Sequence, residues 1–127
     1  MKKKLAVIVV ALLVAGAAAC STVNKHVSKG FDYYQKNDYK NAEVEFLKAI
    51  EDDKDDPYAQ LNLGALYQAT GRPQKAIELY TKVLETGKNV RPNRKTTNAK
   101  TAEANPTLAE IARANLDAMT KGIVIKK

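Results

Sequence analysis

The sequence predicts an all-α fold, an α-solenoid of two stacked helix-turn-helix repeats closed by a C-terminal capping helix. Three observations predict it. Thirty-four residues separate Gly30 from Gly64, Tyr33 from Tyr67, Ala42 from Ala76, and Phe46 from Tyr80. Around those landmarks apolar residues recur with the 3.6-residue period of a helix facing a core. Pro57, Pro73 and Pro106 stand where a first helical turn tolerates a missing N–H. Small residues and aromatics at one fixed spacing describe a helical hairpin that stacks on copies of itself. Such stacks present grooves and rarely carry chemistry.

The chain of 127 residues begins with a leader, residues 1–19. Lys2, Lys3 and Lys4 form a basic start, and Leu5 to Ala19 is an uncharged run of 15 residues, too short for a comfortable membrane span. It closes on Ala17-Ala18-Ala19-Cys20-Ser21. Small residues before a lone cysteine resemble the lipobox of bacterial lipoproteins. The resemblance implies cleavage before Cys20 and a lipid on its sulfur. Ser21, where an Asp would retain the protein at the inner membrane, favours the outer membrane. Ala17 stands where the lipobox usually has Leu. Ala17-Ala18-Ala19 also fits an ordinary secretory cleavage site, which would leave Cys20 as a free thiol. Lipidation is the preferred reading, because Cys20 is the only cysteine and lies where lipidation needs it. More than one acyl chain would anchor the protein stably.

After a tether over residues 20–23, the pattern predicts helices at about 24–36 and 39–52, making a first unit of about 23–56. Helices at 57–70 and 73–86 make the second, so that the repeats fill 24–86. Asp38, Asp56 and Asn105 are the expected N-caps, and Gly87 and Gly122 the expected stops. Tyr39, Ala42, Phe46, Ala49 and Ile50 share one face of the second helix. Ala76, Ile77, Tyr80, Val83 and Leu84 do so on the fourth. The repeated mid-helix glycine suggests that another backbone approaches there. Residues 87–105 lack apolar periodicity and read as a basic, flexible loop. A helix over 106–121, with Leu108, Ile111, Ala112, Leu116 and Met119, is placed as a third first-helix that caps the stack. The tail 122–127 has β-like character.

Charge divides unevenly. Residues 23–86 hold nine Lys or Arg against eleven Asp or Glu, and residues 87–127 hold nine against three. Lys88, Arg91, Arg94, Lys95 and Lys100 form a basic surface in the loop. No aromatics interleave with them, so nucleic acid is not an expected partner. An anionic polymer or lipid is the alternative use of this segment. The acidic run from Glu51 to Asp56 lacks the glycine and distal Glu of a calcium loop, and its simple reading is a turn plus an N-cap. His26 is the only histidine. No metal, cofactor or catalytic residue is expected.

These residues resemble the tetratricopeptide repeat. In that family the first helix of a unit carries Leu-Gly and then Tyr, and the second carries Ala, an aromatic and another Ala. Leu63-Gly64, Tyr67, Gly71, Ala76 and Tyr80 match, with Val83 in place of the last Ala. Gly30, Tyr33, Asn37-Asp38-Tyr39, Ala42, Phe46 and Ala49 match in the first unit, where Lys29 and His26 depart from it. The resemblance covers about half of the chain. It implies a concave groove for a peptide or helix, lined by Val27, Phe31, Tyr34 and Gln35 and by Tyr58, Leu61, Ala65 and Gln68. Val27 and Phe31 stand where one subtype clamps a C-terminal carboxylate, so that clamp is absent. The implied function is a membrane-anchored periplasmic adaptor or assembly factor for a pilus, secretion or envelope complex. Self-association, with the stack continuing into another chain, is a further possibility left open by the sequence.

Overall fold

The computed structural model describes residues 23–92 and 106–125. The leader, Cys20 and most of the basic loop lie outside them. Five helices follow one another: α1 (Lys25–Gln35), α2 (Tyr39–Asp52), α3 (Pro57–Ala69), α4 (Pro73–Thr86) and α5 (Leu108–Ile125). Within each unit the two helices pack as a hairpin, α1 on α2 and α3 on α4. α2 then packs on α3, and α4 on α5. Lighter contacts join α1 to α3 and α3 to α5. The first helices α1, α3 and α5 therefore form one layer, and α2 and α4 the other. α5 takes the place of a third first-helix.

Each unit turns in the same way. Asn37 and Gly71 are the two described residues with positive φ, at 62° and 77°. They lie one repeat apart. Each ends its helix in a left-handed conformation, which Gly and Asn adopt most readily. The next amide reaches back to the same carbonyl in both units: Asp38 N to Tyr33 O at 2.9 Å and Arg72 N to Tyr67 O at 2.8 Å. The following helices start differently. Asp38 and Asp56 accept backbone N–H bonds as N-caps of α2 and α3. Arg72, before Pro73, makes no such bond. It instead donates twice to Glu43, at 2.8 and 3.1 Å, with its guanidinium 4.5 Å from the Tyr67 ring centroid. This bidentate pair ties the second unit to the first.

The mid-helix glycines face aromatic rings, not backbone. A Cβ on Gly30 would lie 2.5 Å from the Phe46 ring, and one on Gly64 would lie 2.8 Å from the Tyr80 ring. The small residue of the first helix admits the aromatic of the second. Ala42, Phe46, Leu61, Leu66, Tyr80, Val83 and Leu108 belong to one core that runs from α2 to α5. A smaller cluster of Val27, Ala49 and Ala59 joins α1 to it.

Two boundaries differ from the sequence reading. α5 starts at Leu108 rather than at Pro106, and Thr107 caps it. The Thr107 Oγ1 accepts from the Glu110 N–H at 3.2 Å, and the Glu110 carboxylate accepts from the Thr107 N–H at 2.7 Å. This reciprocal pair is a capping box, and it fixes the start two residues later. At the other end the helix continues past Gly122 to Ile125. The helix runs through Gly122, and a glycine inside a helix weakens it without ending it. Gly87 ends α4 with φ −104°, so its value is not left-handedness. A Cβ there would meet Leu108 Cβ at 2.9 Å, so the missing side chain makes room for the start of α5.

Candidate functional site

The predicted groove residues divide into two groups. Val27, Phe31, Leu61 and Ala65 are 0–1 % exposed. They sit inside the packing and offer no surface to a ligand in this arrangement. Tyr34, Tyr58 and Gln68 are half-buried, and Gln35 is exposed. The accessible part of the predicted lining is therefore aromatic and amide-bearing.

Tyr34, Tyr58 and Gln68 are each held by a neighbour. Burial, reinforced by nearby Tyr39, pushes the Tyr34 hydroxyl up to about 12. The Tyr34 and Tyr39 rings lie 5.2 Å apart. The Gln68 carbonyl accepts from the buried Tyr80 hydroxyl at 2.9 Å. The Tyr58 hydroxyl donates to the Arg91 carbonyl at 2.9 Å, which ties the start of the loop to α3. The Gln68 NH₂ group makes no bond among the described residues. These side chains present ring faces and hydrogen-bonding groups.

Of the basic surface, Lys88 pairs with Glu85 at 2.9 Å, Arg91 is exposed, and Arg94, Lys95 and Lys100 lie outside the described residues. Sequence reasoning passed over the opposite face. A furrow of about 300 Å³ opens between α2 and α4, with Leu47, Ile50 and Leu79 on its walls and Tyr67 in its floor. Val44 and Leu47 fall outside the core stripe of α2, and that was the available signal.

Among the described residues no group of three or more His, Cys, Asp or Glu could hold a metal. No described helix is long and apolar enough to cross a membrane.

Two family models match, one described as TPR repeat over residues 30–71 and one as tetratricopeptide repeat over residues 57–86. Residues 30–86 are tetratricopeptide repeats. The matches meet at α3, the helix that carries Tyr58 and Gln68. Tetratricopeptide repeats serve protein–protein interaction in general, as non-enzymatic scaffolds. Comparison with curated proteins and with solved structures returned no match.

Proposed function

We propose that this repeat protein is a lipid-anchored adaptor of the cell envelope. It captures a segment of a partner protein on the layer formed by α1, α3 and α5. Its destination would be the periplasmic side of a membrane, the outer membrane by preference, through a lipid on Cys20. Its role would be to hold a component of a pilus, secretion or envelope assembly in place. The observation that carries the reading is that Tyr34, Tyr58 and Gln68, on the first helices of the two units, are only half-buried, so that their rings and the Gln68 NH₂ group can meet a peptide. Tyrosine supplies contact area at low conformational cost, so these side chains favour binding over catalysis.

Site-specific photo-crosslinking in intact cells tests the capture. A crosslinker at Tyr34 should trap a discrete partner, and one at Lys54, in the exposed turn between units, should not. The same yield from both positions, or none from Tyr34, would remove the proposal. The anchor is tested separately by Cys20→Ala. It should abolish incorporation of labelled palmitate and release the protein from the membrane fraction. Unchanged membrane association would show that the lipid is not the anchor.

A further inference from the structure

The outer layer carries a pattern that the adaptor reading does not use. Lys40, Val44, Leu47 and Glu51 follow one another on α2 at i, i+4, i+7 and i+11. At 3.6 residues per turn the four fall within about 60° of arc, so they make one stripe along the helix. Val44 and Leu47 are 45 % and 42 % exposed, and they are the exposed large hydrophobics of the described residues. Lys40 and Glu51 are exposed, and neither makes an ion pair among the described residues.

The stripe is symmetric about its own centre. Lys40 stands as far before the midpoint of Val44 and Leu47 as Glu51 stands after it. A surface that pairs with a copy of itself across a two-fold axis must have this property: what one end offers, the other end must accept. An unrelated partner would not require it.

We propose that this stripe is a homodimer interface, in which two copies pair α2 antiparallel about a two-fold axis. Val44 packs on Leu47 of the partner subunit. Lys40 pairs with Glu51 of the partner subunit, and the axis repeats both contacts. The furrow lined by Ile50 and Leu79 shares Leu47 with the stripe and extends the apolar area along its flank. Two helix faces bury less than the roughly 1,200 Å² of a standard interface, so the dimer is weak, with Kd in the range of about 10–100 µM. The stripe lies on the layer opposite α1, α3 and α5. The dimer would therefore hold two binding faces turned away from each other, and it stands or falls independently of what those faces bind.

Sedimentation equilibrium of the full chain in density-matched detergent, over about 5–500 µM, tests the pairing. The wild type should move from monomer to dimer. Lys40→Glu alone puts carboxylates opposite each other at both ends, and Glu51→Lys alone does the same with ammonium groups. Each should weaken association about tenfold or more. An equimolar mixture of the two variants should recover the dimer, since every cross-pair is then of opposite sign. Circular dichroism should be unchanged in both, because the sites are exposed. A wild type that stays monomeric overturns the proposal. So does single-variant association as strong as wild type, or a mixture that fails to associate.

Discussion

Gly30 and Gly64 show how one atom sets the geometry of a unit. Each lies beneath the aromatic ring of its partner helix, Phe46 or Tyr80, with no room for a Cβ. Glycine weakens a helix by about 1 kcal/mol relative to alanine, so the sequence accepts that cost to seat the ring. Gly64→Leu should wedge α3 from α4 and lower stability by about 1–3 kcal/mol through overpacking. Tyr80 has little freedom to yield, because its hydroxyl is held by Gln68. A melting temperature equal to wild type would refute the close contact. Combined with Tyr80→Ala, the loss should be smaller than the sum of the two single losses, since both act at one contact. Both members of each pair were legible as residues one repeat apart. What the spacing could not tell was the neighbour, a ring rather than a backbone. Nor could it separate Phe31 and Leu61 from Tyr34 and Tyr58. All four are large and lie on first helices, and only the lateral packing of the layers decides which is sealed.

At the scale of the element, α5 shows how a cap is built and where its sequence reads poorly. Its place was legible from the apolar run Leu108, Ile111 and Ala112, all of which are buried. Its start was misread at Asn105, because Asn-Pro and Thr-x-x-Glu both signal helix starts two residues apart. The choice fell to Thr107, whose amide and hydroxyl both meet Glu110. Thr107→Ala should therefore cost about 1 kcal/mol. Leu108→Ala should cost more, about 2–5 kcal/mol, since Leu108 is fully buried in the core. Thermal melts of the two variants should rank them in that order, and the reverse order would mean that α5 is held by its cap more than by its packing. Further along, Asn115 is 1 % exposed, and neither end of its amide reaches hydrogen-bond geometry, although it lies beside the Tyr80 hydroxyl. An unsatisfied buried amide costs about 1–3 kcal/mol, so Asn115→Leu should raise the melting temperature. A fall would show that the amide is bonded in solution, for instance to water.

For the molecule as a whole, two carboxylates couple the packing of the helices to pH. Glu45 is buried on α2 and hydrogen-bonds the His26 ring of α1 at 2.6 Å. That bond, against the opposing effect of burial and with help from Lys48 and Lys29, holds its carboxyl below the usual range. Glu43 is held down in the same direction, first by the hydrogen bonds from Arg72. One carboxylate closes the first hairpin and the other joins the two units. A carboxyl that is more acidic folded than unfolded adds stability that is fully present above its unfolded value, about 4.3 for Glu. That stability disappears as pH falls through the lower folded values. Asp56 acts in the opposite sense, because burial raises its carboxyl although the Ala59 and Tyr58 amides pull it down. Its protonation favours the folded chain and offsets part of the loss. The Glu110 carboxyl is also held down, first by the Thr107 N–H and then by its hydroxyl, so three groups against one predict a melting temperature that is nearly level from neutrality to about pH 5 and falls below it. Glu45→Gln should lower the plateau, since the buried partner of His26 loses its charge, and should make the acid slope shallower. An acid slope unchanged in both Glu45→Gln and Glu43→Gln would place the pH dependence elsewhere in the chain. A slope removed by Glu43→Gln alone would assign it to the joint between the units, with the first hairpin closing without electrostatic help.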